Sequence, residues 1–187
     1  MKHIIVEGCD RTGKDTLIEY IESLSKNNYE QHHFMTPLGN TIEEKIEFQQ
    51  TDFSIEFERI KIYRTMFKNA DDMFVWNRSH IGEYVYGNIY RKYDPSWIFD
   101  LEKEYEYDIS NDTYLILLIG SPEFLIANED GHSLSSKLED RQKEISLFIE
   151  AVGKSHIKNK LIIDVTKNET YRPLNEIQKS VKEFLNL

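Results

Sequence analysis

Along this chain, short uninterrupted apolar runs alternate with longer stretches in which apolar residues recur every three or four positions. The runs Ile4–Glu7, Met73–Asn77, Tyr114–Gly120 and Leu161–Val165 read as strands buried on both faces, with the weaker Gln31–Met35 as a further strand. Between them, Thr16–Ser25 places Leu17, Tyr20, Ile21 and Leu24 at helical spacing. Phe53–Phe67 aligns Phe53, Phe57, Ile60 and Arg64, and Leu138–Val152 aligns Leu138, Ile145, Phe148 and Val152. This alternation predicts an α/β fold, a parallel sheet of about five strands with helices on both faces. Ligands of such sheets gather beyond the carboxyl ends of the strands.

The first run leads directly into Gly8-Cys9-Asp10-Arg11-Thr12-Gly13-Lys14-Asp15-Thr16 and then into the first helix. G-x-x-x-x-G-K between a strand and a helix is the phosphate-binding P-loop in its expected setting. Its glycines let backbone N–H groups converge with the helix N-terminus on phosphate oxygens, and Lys14 adds a positive charge for the β- and γ-phosphates. Lys14 is expected to stand exposed in the loop. Asp15 occupies the place of the usual Ser or Thr, whose hydroxyl ligates Mg²⁺.

With 187 residues and no repeat, low-complexity tract or long linker, the chain reads as one domain spanning 1–187. A net charge of −10 argues against a nucleic-acid-binding surface, although a few arginines can still converge on one cleft. The lone Cys9 excludes an intrachain disulfide and fits a reducing cytosol. No apolar run approaches a membrane span, and the amino terminus reads as a strand rather than a signal peptide. The expected setting is cytoplasmic. His32 and His33 share no metal-ligand spacing with other residues. The aromatic stretch Tyr84, Tyr86, Tyr90, Tyr93 and Trp97 has few flanking cations, so it reads as a packed helix pair rather than a nucleic-acid stacking surface.

A second candidate site, Asn77-Arg78-Ser79, leaves the strand Met73–Trp76. E-G-x-D-x-x-G-K followed by an x-R-x turn at the end of the third strand resembles the thymidylate kinase family. Gly82-Glu83-Tyr84-Val85-Tyr86-Gly87 with Ile89-Tyr90-Arg91 resembles the phage-encoded deoxynucleoside monophosphate kinases of that group. The resemblance covers His3 to about Val165 and implies a P-loop kinase fold with a short lid at about residues 128–137. The stretch Asn128-Glu129-Asp130-Gly131-His132-Ser133 has the polar, glycine-bearing make-up of such a lid.

The resemblance implies transfer of the γ-phosphate of ATP to a deoxynucleoside monophosphate, dTMP or a related pyrimidine first, with Mg²⁺. Gly8, Arg11, Thr12, Gly13, Lys14, Asp15 and Thr16 would hold ATP, and Arg11, Lys14 and Asp10 would serve catalysis. Asp15 and Asn77 would serve the metal: the family's P-loop hydroxyl is a carboxylate here, and its D-R-x aspartate is an amide. The two changes read as a carboxylate moved across the site. Two other readings stay open, a helix-capping Asp15 and a decayed kinase.

Ser121–Asp140 contains no arginine, so Arg11 resembles the P-loop arginine that stabilises the transferring phosphoryl, with Lys137 or Arg141 as fallback. For the acceptor, Asp10 would face its phosphate and Arg78 would grip it bidentately. Arg59 by family spacing, or Arg64, would supply a second guanidinium, and Phe57 could stack on a pyrimidine. Ser79, Gly82 and Tyr86 fall in the register of the base pocket. The arginine of the family's F-P-x-R segment has no counterpart in Phe34-Met35-Thr36-Pro37. Glu7 matches the strand-end glutamate. Small-molecule nucleotides are the expected partners, with a homodimer left open. Alternatives are a deoxynucleoside kinase of the same fold, which would need a carboxylate base near the sugar hydroxyl, and a nucleotide-binding regulator without chemistry.

Overall fold

The computed structural model describes residues 1–109, 111–129, 131 and 133–187. Five strands form one sheet: β1 (Lys2–Gly8), β2 (Tyr29–His33), β3 (Met73–Asn77), β4 (Thr113–Ile119) and β5 (Asn159–Asp164). Their order is β2-β3-β1-β4-β5, and every neighbouring pair is parallel. The helices are α1 (Lys14–Leu24), α2 (Ile42–Met66), α3 (His80–Tyr86), α4 (Trp97–Glu104), α5 (Glu106–Ile109), α6 (Pro122–Ala127), α7 (Leu138–Lys154) and α8 (Leu174–Phe184). A small antiparallel hairpin, β6 (Thr166–Lys167) with β7 (Thr170–Tyr171), follows the last sheet strand.

Successive strand residues point to opposite faces, which is why the sheet divides the core in two. Ile4 and Val6 of β1 pack with Leu17 and Ile21 of α1 and Val181 of α8. Ile5 joins Phe53 and Phe57 of α2, Trp76 of β3 and Phe148 of α7 on the other face. β1 lies between β3 and β4, so the chain runs first to one side of it and then to the other. The crevice at that reversal is where an open α/β sheet binds ligands.

All five expected strands are present, with ends shifted by a residue or two. The long helix differs more: α2 starts at Ile42, well before the expected Phe53. Its polar first turns carry no apolar period, yet a capping box starts it. Thr41 Oγ1 accepts from Glu44 N at 3.2 Å, and Glu44 Oε2 accepts from Thr41 N at 3.3 Å. The aromatic stretch packs inward as expected, with Tyr84 and Tyr86 in the core, and α3 runs into a π-helical turn at Gly87–Arg91 before α4. No helix among the described residues is long and apolar enough to cross a membrane.

Candidate active site

β1 delivers the chain to Gly8 at the mouth of the crevice. Gly8 has φ +146°, and a Cβ there would lie 2.2 Å from the Leu118 carbonyl oxygen, so no other residue fits. The loop then turns through Arg11 (φ 69°) and Gly13 (φ 80°), which caps α1. Thr12 is buried and its Oγ1 donates to the Cys9 carbonyl at 2.8 Å, tying the turn together. Lys14 corrects the expectation of an exposed side chain. It is buried, and Nζ donates to the carbonyls of Gly8 at 2.8 Å and Cys9 at 2.7 Å. Burial, followed by the nearby Arg78 charge, pulls its pKa down. Burial also pushes the Cys9 thiol up to about 12, which disfavours the thiolate.

The β3 end supplies the opposite wall. Asn77 lies beside His33 in the parallel register, and its Nδ2 donates to Asp15 Oδ1 at 3.0 Å. Arg78 has φ 69°, and its backbone N donates to the Val6 carbonyl at 3.1 Å. Its guanidinium donates to Asp10 Oδ1 at 3.1 Å and to the Tyr86 hydroxyl at 3.3 Å. Burial disfavours the Arg78 charge, but Tyr86 and Asp10 outweigh it and the pKa is raised. Beneath this turn Glu7 is fully buried and accepts from Ser79 Oγ at 2.7 Å and Gly82 N at 2.9 Å. Burial pushes the Glu7 pKa up against the opposing pull of the Ser79 bond and the Arg78 charge.

These walls enclose a cleft of about 510 Å³. Asp10, Arg11, Gly13, Lys14, Asp15 and Thr16 form its P-loop side, and Asn77 and Arg78 face them. One end thus sets a lysine at the base of the loop between β1 and α1. Across from it stands a guanidinium already oriented by a carboxylate and a phenol.

Several acceptor-side expectations are corrected. Arg59 is held by Glu30 at 2.6 Å, Glu56 at 3.0 Å and the Tyr63 hydroxyl at 3.0 Å. Glu30 pairs with Phe74 in the register, short of the carboxyl ends, so Arg59 lies away from the cleft. Arg64 lies further along α2, where its charge, after burial, contributes to the lowered pKa of His3. Phe57 is fully buried, stacked on Tyr105 at 5.1 Å and packed on Trp76 at 5.3 Å, so it is a core residue. Ser79 and Gly82 are committed to Glu7; a Cβ on Gly82 would stand 3.2 Å from Glu7 Oε1. Tyr86 is buried and supports Arg78 rather than opening a base pocket.

In the expected lid, Glu129 Oε1 accepts from the N–H groups of Gly131 at 3.1 Å and Ser133 at 3.2 Å, while Asp130 and His132 lie outside the described residues. The fallback cation Arg141 is buried against Glu144, with a longer contact of 3.4 Å to Glu129.

Two cleft residues escaped the sequence, His33 and Tyr171, while a third, Ser133, belongs to the segment expected to form the lid. His33 could have been found as the last residue of a parallel strand next to Asn77. Tyr171 follows Asn168, and an Asn between two short runs is a hairpin signal.

The donors suit a hard divalent cation. Asn77 Oδ1 is buried without a hydrogen-bond partner, while the Asp15 carboxylate beside it is exposed. Among the described residues, no cluster of three or more His, Cys, Asp or Glu side chains could hold a metal alone. The two oxygens of Asn77 and Asp15 suit Mg²⁺, which takes one or two protein oxygens and completes its shell with substrate phosphates and water.

No protein-family model and no curated protein matches the chain. Among solved structures, it superposes on YorR from Bacillus subtilis, determined in complex with phosphorylated GDP, with a TM-score of 0.65 at 15% identity. That match covers 100% of this chain and 96% of YorR. Thymidylate kinase from Candida albicans superposes with a TM-score of 0.62 at 13% identity, covering 99% of this chain and 91% of that enzyme. The chain therefore has a P-loop kinase architecture, and its fold is thymidylate kinase-like.

Proposed function

We propose that this protein is a nucleotide kinase that transfers the γ-phosphoryl group of ATP to a deoxynucleoside monophosphate. The observation that carries the reading is the placement of Arg78, oriented by Asp10 and Tyr86, across one cleft from Lys14 and the P-loop. Transfer forms a bond between an acceptor phosphate oxygen and the γ-phosphorus and breaks the bond to the β-phosphate oxygen, leaving ADP. Phosphoryl transfer needs in-line positioning and positive charge more than covalent help. In this reading the loop amides and Lys14 hold the donor phosphates, Arg78 aligns the acceptor phosphate and Arg11 neutralises charge on the moving group. Asp15 and Asn77 would hold Mg²⁺, which when bound neutralises charge between the donor phosphates.

A nucleoside acceptor would call for a carboxylate base at the sugar hydroxyl. The side chain at the end of β3 is the amide Asn77, and Glu7 is buried under Ser79 and Gly82. Asp10, a carboxylate that does line the cleft, is paired with Arg78 at 3.1 Å, and a guanidinium there suits an acceptor phosphate, so the monophosphate reading is favoured. dTMP heads the list of acceptors to be tried because of the family resemblance. Phe57 is buried in the core, so in this reading the base is recognised by other residues.

The test is a panel of nucleosides and nucleoside monophosphates incubated with ATP and Mg²⁺ and resolved chromatographically. A diphosphate product from at least one deoxynucleoside monophosphate, with none from free nucleosides, is expected. Phosphorylation of a nucleoside would overturn the acceptor class, and ATP binding without any transfer would leave a nucleotide-binding protein.

A further inference from the structure

The hairpin β6–β7 stands at the carboxyl edge of the sheet and is fixed at its base. Val165 N donates to the Ile119 carbonyl at 2.8 Å, Arg172 N to the Val165 carbonyl at 2.8 Å, and Ser121 N to Thr166 Oγ1 at 3.0 Å. Its turn residues Asn168 (φ 52°) and Glu169 (φ 60°) have the paired positive φ values that suit a tight hairpin. The last residue of β7, Tyr171, packs edge-on against Phe124 of α6, with centroids 4.7 Å apart at 89°. From this position its hydroxyl donates to the Arg11 carbonyl at 2.8 Å. Tyr171 is 46% exposed, so it adds little to the core.

The acceptor of that bond is in an unusual place. Arg11 has a left-handed backbone, which a non-glycine residue keeps when its surroundings impose it. A trans peptide is planar, with its C=O and N–H on opposite sides. Fixing the Arg11 carbonyl therefore also directs the Thr12 N–H away from the Tyr171 hydroxyl. Thr12 lies in the middle of the loop whose amides would receive phosphate.

We propose that Tyr171 is a positioning residue whose hydroxyl holds the Arg11–Thr12 peptide in the orientation that makes the P-loop competent for phosphate. Without the bond, the peptide is free to rotate. A carbonyl turned into the cradle would present lone pairs to an anion. The same bond fixes the backbone from which the Arg11 guanidinium extends. This proposal rests on the phosphate-binding reading of the loop. It gives the hairpin a role at the active site that its short length conceals.

Tyr171→Phe removes the hydroxyl and keeps the ring against Phe124. Affinities for ATP with Mg²⁺ and for inorganic tripolyphosphate would be measured by calorimetry, beside turnover, melting temperature and the Thr12 amide resonance of the ligand-free protein. Both affinities should fall by a similar factor of about three to ten, the scale of one lost hydrogen bond. kcat should fall at least as far, melting should hardly move, and the Thr12 resonance should shift. Unchanged affinities with an unchanged Thr12 resonance would overturn the proposal. So would a loss confined to ATP, which would make Tyr171 a contact for the nucleoside. A parent protein that binds neither ligand would sink the P-loop reading and this proposal together, whereas a binding parent with an indistinguishable variant sinks the proposal alone.

Discussion

Asn77 Nδ2 donates to Asp15 Oδ1 at 3.0 Å, so the two departures from the family's motif are one hydrogen-bonded unit across the cleft. A carboxylate in place of Asn77, which is only 4% exposed, would face the Asp15 carboxylate directly. Asn77→Asp should therefore lower activity and raise the Mg²⁺ needed to offset like-charge repulsion. Asp15→Ser should lower activity by removing the carboxylate. The double variant restores a hydroxyl–carboxylate pair and should recover more than the product of the two losses, by a coupling of about 0.5–3 kcal/mol. kcat/KM and the Mg²⁺ midpoint for all four proteins test this, and multiplicative losses would show two independent changes.

Lys14→Ala should abolish phosphoryl transfer, since the loop loses the charge that faces the donor phosphates. The buried position of Nζ adds a second consequence. The Gly8 carbonyl loses this donor and the Cys9 carbonyl keeps Thr12 Oγ1, so stability should fall by about 1–3 kcal/mol while the fold persists. Turnover assays paired with urea unfolding check both parts. Residual activity above a few per cent would contradict the site.

The sheet and the phosphate loop were legible because their signals are local. β1, β3 and β4 are apolar runs of a kind only a doubly covered sheet produces. Gly8 and Lys14 are marked by the motif's spacing together with its setting between β1 and α1. The acceptor side was poorly legible because it depends on direction around a long helix. Arg59 and Phe57 sit on α2 at plausible spacing, but Glu30 and Glu56 draw Arg59 sideways and the Trp76–Tyr105 cluster takes Phe57 inward. Ser79 and Gly82 were placed by register, yet the buried carboxylate of Glu7 claims both. Tyr171 reaches the loop from 160 residues away, a contact no local pattern encodes.

Arg78→Ala should raise the acceptor KM and lower kcat by roughly tenfold or more each, because the guanidinium both binds and aligns the acceptor phosphate. Affinity for ATP should hardly change. Tyr86→Phe, which leaves Asp10 as the remaining partner, should give a smaller effect of the same kind. Initial-rate kinetics with both substrates varied separates the two constants, and a selective loss of ATP affinity would put Arg78 on the donor.

Arg11→Ala should depress kcat by roughly two to three orders of magnitude while changing either binding constant far less, as expected for charge used in the transition state. Arg141 cannot readily substitute, being buried against Glu144. A loss below about threefold would transfer the role to another cation.

Stability should depend on pH through a residue that does no chemistry. His3 is fully buried on β1, bonded through Nδ1 to Thr113 Oγ1 at 3.1 Å and packed on Trp76 at 4.4 Å. Burial, then the charges of Arg64 and His80, holds its pKa well below the ordinary 6.5. As pH falls through that ordinary value, the unfolded chain takes up a proton that folded His3 refuses, so stability declines by up to about 1.4 kcal/mol per pH unit. The depressed pKa of His33 adds in the same direction. Glu7 acts oppositely: its raised pKa lets the folded state keep a proton that the unfolded chain has released above 4.5, so its contribution is lost as pH rises. His3→Phe keeps an aromatic ring on Trp76 and cannot titrate. It should cost about 1 kcal/mol near pH 7 for the lost Thr113 bond and flatten the decline between about pH 7 and 5, so that the deficit shrinks as pH falls. Glu7→Gln should steepen that decline. Urea unfolding of the three proteins across this range measures the slopes, and a parent-like slope in His3→Phe would exclude His3 as the titrating group.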